Sequence, residues 1–193
     1  MVETGASGLS SQLKLEKYSH CHTDLEQSLA KLGPSATEPQ KQKALCDILA
    51  SAFKGSWNFV GFYDLRPEIH PGKVFIGEYV SEAVFPCGEI DLGKGQCGLC
   101  ARDERVMIAH DVSKLDNYIA CDDDTKSEIV LPCFQYTSVE NDDDDFSGDA
   151  GGTGGKSKVR KLRTLLDIDS IHIGTFDETD QKCLERLIGL IYN

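Results

Sequence analysis

An α+β fold with a central antiparallel sheet flanked by helices is the architecture this sequence predicts. Strand-like runs rich in β-branched and aromatic residues fall in mid-chain, and the helical periodicities lie on either side of them. A doubly wound parallel sheet would instead alternate strand and helix throughout. The chain has 193 residues, 40% hydrophobic and 8% aromatic, enough for a single domain with its own core. Wholesale disorder is excluded by the same composition.

Residues 1–36 are rich in Ser, Gly, Glu and Lys and read as an N-terminal extension. A short helix is expected around 25–32, stopped by Gly33-Pro34. Residues 37–193 are the expected domain. From 40 to 53, Ala44, Leu45, Ile48, Leu49, Ala52 and Phe53 repeat on one helix face. Trp57-Asn58-Phe59-Val60-Gly61-Phe62-Tyr63 reads as a buried strand, and 74–80, 105–110, 128–134 and 162–169 as further strands. In the last helix Asp177 and Asp180 have capping spacing, and Leu184, Leu187, Ile188 and Ile191 line one face. The acidic, glycine-rich stretch at about 137–157 cannot bury enough surface to offset its ordering entropy, so it reads as a flexible insertion at a hairpin tip.

Twenty basic against 32 acidic residues give a net charge of −12. That balance argues against a nucleic-acid partner, which needs a basic footprint, and against an anionic membrane surface. Half of the excess sits in Glu140, Asp142, Asp143, Asp144, Asp145 and Asp149. No apolar run approaches the roughly 18 residues of a membrane helix, and Met1-Val2-Glu3-Thr4-Gly5 lacks a signal-peptide pattern. The expectation is therefore a cytoplasmic protein whose thiols are kept reduced. Eight cysteines in such a compartment imply redox chemistry, metal binding or buried hydrophobes.

Several motifs tempt and fail. The stretch at 150–157 has a relaxed phosphate-loop spacing, but an acidic run precedes it where a buried strand is needed. The calcium-loop start at Asp143 lacks a carboxylate at its twelfth position, Gly154. Cys97-Gly98-Leu99-Cys100 follows a turn, not a parallel strand, so a short helix with one buried cysteine is the simple expectation. Cys46, Cys133 and Cys183 read as core residues. Cys21, between His20 and His22, lies in a polar segment expected to be a flexible tail.

What remains is a set of thiols and acids. Cys87 precedes Gly93-Lys94-Gly95 and Cys97, and Ile119-Ala120-Cys121 precedes Ser127-Glu128-Ile129. In Leu166-Asp167-Ile168-Asp169, two-residue alternation turns both aspartates to one strand face, about 7 Å apart. Such carboxylates can grip an ammonium group or supply a proton.

With these residues in view, the sequence strongly resembles the free methionine-(R)-sulfoxide reductases, which are built on a GAF domain. The matching stretches are 58–63, 93–98, 111–112, 119–121, 127–132 and 166–170, within a span of roughly 40–191. The resemblance implies that Cys121 attacks the sulfoxide sulfur, that methionine leaves, and that a sulfenic acid remains. Cys87 or Cys97 then closes a disulfide, which a thioredoxin-like protein reduces. It further implies that Glu128, Asp167 and Asp169 line the pocket, with Tyr63 and Phe59 as an aromatic wall. Trp57 is expected on the same face as Phe59, compensating for the Trp the family usually has there. The substrate would be free methionine (R)-sulfoxide, with no cofactor and no metal; a homodimer is compatible with this reading. Departures are Asn117-Tyr118 for the usual Gly-His, Cys100 for alanine, a longer segment before Cys87, and Asp122-Asp123-Asp124 directly after Cys121. Those aspartates would raise the thiol pKa, and a helix N-terminus there would offset them. The rivals are a non-catalytic sensory GAF module and a four-cysteine zinc module.

Overall fold

The computed structural model describes residues 9–82, 85–119, 121–139 and 157–192. Two helices open the chain, α1 (Ser11–Leu32) and α2 (Glu38–Ala52). Strands β1 (Trp57–Leu65), β2 (Lys73–Ser81) and β3 (Glu89–Asp91) follow, then a short helix α3 (Gly95–Asp103) and strand β4 (Met107–Ala109). The long hairpin arms β5 (Ser127–Val139) and β6 (Ser157–Ser170) lead to the final helix α4 (Glu178–Tyr192). The six strands form one antiparallel sheet in the order β3-β2-β1-β6-β5-β4, the α+β architecture expected from the sequence. No helix among the described residues is long and apolar enough to cross a membrane.

Local chemistry sets the helix boundaries. Ser10 accepts from the Leu13 amide at the start of α1, and Thr37 with Gln40 closes a capping box on α2. Asp177 and Asp180 cap α4 reciprocally.

The polar segment around Cys21, expected to be a flexible tail, is instead helical and belongs to the 22-residue α1, which also contains the helix expected at 25–32. Tyr18, Cys21 and Leu25 of α1 are buried in the same core as α2 and α4. Lys14 is also buried, its ammonium donating to Thr175 O at 2.7 Å, Asp177 at 2.9 Å and Asp180 at 2.5 Å, while Tyr18 donates to Asp180 at 2.9 Å. A buried lysine interrupts the apolar stripe, which is why periodicity understates this helix.

The sheet separates two cores. Val60, Phe62, Ile129, Leu131, Leu166 and Ile168 face the three long helices. Phe59, Tyr63, Val130 and Leu165 face α3 and the loops around it. β5 and β6 run longer than expected, paired as far as Val139 opposite Ser157. The rest of the acidic insertion, including its proposed flexibility, lies outside the described residues.

Candidate active site

The α3 face of the sheet holds a cleft of about 500 Å³ including its mouth. Phe59, Tyr63, Cys97, Cys121, Glu128, Asp167 and Asp169 all line it. Strand register brings the acids together. Asp169 lies directly between Phe59 on β1 and Glu128 on β5, and Asp167 between Gly61 and Val130. Carboxylates directly opposed across strands repel, so packing alone does not favour this pair. Gly61 leaves room for the Phe59 ring: a Cβ there would collide with that ring and with Tyr79.

Trp57 is the exception. A register irregularity between Trp57 and Phe59 breaks the two-residue alternation, and Trp57 turns to the opposite core. There it stacks on Phe53 at 3.9 Å and tilts against Phe176 at 5.7 Å. It does not line the cleft, so the expected compensation for Phe59 is not made.

Short backbone contacts position the thiols. Gly98 packs so closely on Asp91 O and Gly93 N that a Cβ would not fit, which seats α3 against the turn before it. Gly95 N donates to Asn117 O at 3.1 Å, and Asn117 Nδ2 donates back to Gly93 O at 2.9 Å. Cys97 and Cys100 are both buried and free, where a single buried cysteine was expected. Cys100 Sγ points to Val130 O at 3.7 Å, while Cys97 Sγ donates to Asp167 Oδ2 at 3.3 Å. Cys87 and Cys121 form a disulfide, with Cα atoms 5.6 Å apart.

Burial dominates the electrostatics. Glu128 is pushed well above the usual carboxylate range by desolvation, then by the charges of Asp167 and Asp169. Asp167 is raised by desolvation to about 7, held there by hydrogen bonds from Cys97 and Glu128 that pull it back. Asp169 is raised by desolvation and by Asp167. Burial, with Asp167 and Glu128 nearby, also raises the Cys97 thiol. At neutral pH the cleft therefore holds protonated acid, with Glu128 donating toward Asp167.

Two further residues were given no site role from sequence. Tyr118 lines the cleft, its phenol pKa raised by burial and then by Asp169, Glu128 and Asp167. Asn58 Nδ2 donates to Asp122 at 2.9 Å and Thr125 at 3.1 Å, tying the loop after Cys121 to the sheet. A polar residue in an otherwise apolar buried strand was the available signal for Asn58. Residues 121–126 form turns, so no helix N-terminus offsets the aspartates beside Cys121.

No family model matches the chain. A free methionine-R-sulfoxide reductase of Saccharomyces cerevisiae is 33% identical over 134 residues, 69% of this chain and 61% of that protein. One from Escherichia coli is 29% identical over 132 residues, 68% of this chain and 62% of that protein. A solved GAF domain superposes with a TM-score of 0.70 at 26% identity, covering 97% of this chain and 92% of the other. The Neisseria meningitidis reductase, solved with its substrate, has a TM-score of 0.67 at 22% identity, covering 94% and 87%.

The chain is similar to free methionine-R-sulfoxide reductases over about two thirds of its own length. It spans about three fifths of the length of the two named reductases. The acids and three thiols of the resemblance cluster around one cleft, and of the residues expected there Trp57 lies on the far side of the sheet.

Proposed function

We propose that this protein reduces free methionine (R)-sulfoxide to methionine. The observation that carries the reading is the bonded Cys87–Cys121 pair at the mouth of a cleft lined by Glu128, Asp167 and Asp169. In the reduced protein the Cys121 sulfur attacks the sulfoxide sulfur while an acid of the cleft protonates the sulfoxide oxygen. Glu128, whose proton burial retains, is suited to this role. Methionine departs and the oxygen stays on Cys121 as a sulfenic acid. The Cys87 thiol attacks that sulfur, water leaves, and the disulfide closes. A thioredoxin-like dithiol takes up the disulfide and restores both thiols.

Specificity for the free amino acid follows from charge. Among the described residues the cleft lining contains acids and no lysine, arginine or histidine, so it favours a substrate carrying an ammonium group. A peptide-bound methionine lacks that group. Tyr63 and Phe59 supply apolar surface for the thioether methyl. NADPH oxidation coupled through thioredoxin and thioredoxin reductase tests the cycle. Turnover with free (R)-sulfoxide is expected; equal turnover with blocked sulfoxide contradicts the specificity. A protein inert with every reductant yet able to bind a ligand would support the sensory reading, which the likeness to a solved GAF domain keeps as the alternative.

A further inference from the structure

Cys97, Glu128 and Asp167 each offer one ligand atom, and the three atoms lie within 4.8 Å of one another. All three residues are buried. Asp167 lines the cleft and is only 6% exposed, and among the described residues its Oδ1 has no hydrogen-bond partner. Asp169 Oδ1 on the same face is likewise without a partner. An unpaired carboxylate oxygen in a buried, acid-lined cavity with no basic neighbour in its lining calls for a cationic ligand. The donor set selects which cation. One sulfur and two carboxylate oxygens suit zinc and its congener cadmium, not magnesium or calcium, which want oxygen alone.

We propose that the cleft is also a binding site for a thiophilic divalent ion of the zinc class, held by Cys97 Sγ and by one oxygen each from Glu128 and Asp167. Zinc bonds of about 2.3 Å to sulfur and about 2.0–2.2 Å to oxygen place ligand atoms roughly 3.5 Å apart in a tetrahedron. The Cys97 Sγ to Asp167 Oδ2 separation is already 3.3 Å. Binding exchanges the Cys97 S–H bond for a metal–sulfur bond and releases the thiol proton, and the proton on Glu128, to solvent; no atom changes oxidation state. Three protein ligands leave a fourth position open to water or another small donor. This differs from a four-cysteine module, because Cys100 points to Val130 O and Cys87 and Cys121 are bonded to each other.

The consequence for activity rests on the function proposed above: a metal on Glu128 and Asp167 removes the proposed proton donor, fills the acid-lined space the substrate needs, and makes the reductase metal-inhibited. The Cys87–Cys121 disulfide leaves Cys97 free, so both redox states can take the ion. The test is cadmium titration of the full chain carrying Cys87→Ser and Cys121→Ser, reduced beforehand, read by the thiolate-to-cadmium charge-transfer band. One equivalent is expected, and Cys97→Ser in that background is expected to abolish the band while far-ultraviolet circular dichroism stays unchanged. Asp167→Asn, which keeps the thiol, is expected to weaken binding. Absence of the band, its persistence after Cys97→Ser, or undiminished affinity in a folded Asp167→Asn protein overturns the proposal. Added methionine is expected to displace the ion. Failure to displace it, with the band and both variant effects intact, supports the metal site and counts against the substrate reading.

Discussion

Opposed carboxylates are the residue-scale signature of this molecule. Glu128 and Asp169 face each other across the β5–β6 pair, and Asp167 lies two residues along the same face. Holding an acid there has a sign in pH. The folded state raises Asp167 from its ordinary 3.8 to about 7, so between those values the native state binds the extra proton and loses relative stability as pH rises. Asp167→Asn removes that dependence. The variant is expected to melt several degrees above the parent at pH 8 and to approach it only near pH 4, a gain of order 1–2 kcal/mol at about 2–4 °C per kcal/mol for a chain of this size. Parallel melting curves at all pH values would show that Asp167 is not strained. The thiols give a second prediction. Cys87→Ser is expected to release one methionine per protein but to cycle slowly with thioredoxin, measured by quenched-flow methionine assay against coupled NADPH oxidation. Unimpaired cycling would move the resolving role to Cys97.

Among the elements, α1 carries more than its composition suggests. Its Lys14 is 2% exposed and bonds Asp180, itself 1% exposed, at the capped start of α4. Removing one partner of a buried pair leaves the other charge unsolvated, at a cost of about 3–5 kcal/mol. Lys14→Ala is therefore expected to lower the urea midpoint sharply, whereas the exposed pair Lys182–Glu178 contributes at most about 1 kcal/mol. A Lys14→Ala protein as stable as its parent would mean that α1 is not integral to the fold. The difference in legibility has the same origin. Strand positions, the α2 and α4 stripes and the Asp167/Asp169 face follow from periods of two and 3.6, which local sequence displays. α1 did not, because its buried stripe runs through Lys14, Tyr18 and Cys21, and the polar groups of Lys14 and Tyr18 are satisfied by distant partners at the start of α4, Thr175 O, Asp177 and Asp180. Trp57 did not either: alternation put it beside Phe59, and one register irregularity reversed it. Such a shift is a property of strand pairing, invisible in a single strand.

For the whole molecule, the sheet separates two environments. One face carries three helices and the larger core; the other carries α3, the loops bearing Cys87 and Cys121, and the acids. The acids stand on sheet strands and Cys97 on α3, while Cys87 and Cys121 lie in loops and are bonded to each other. In the cycle proposed above, the net charge of −12 is a field that a reductant protein would meet. Deletion of residues 141–155, where much of that charge lies, is expected to spare single-turnover chemistry and to change only the apparent affinity for thioredoxin, an effect that shrinks with added salt. Loss of methionine release in the shortened protein would contradict this. The central claim is that Cys121, served by the buried acids, takes oxygen from a free amino-acid sulfoxide. Its most direct test mixes fully reduced protein with free methionine (R)-sulfoxide, without any added reductant, and counts methionine released. One equivalent per chain is predicted, with none from Cys121→Ser and none from N-blocked sulfoxide. Release undiminished by Cys121→Ser, or no release from the parent, would contradict the account.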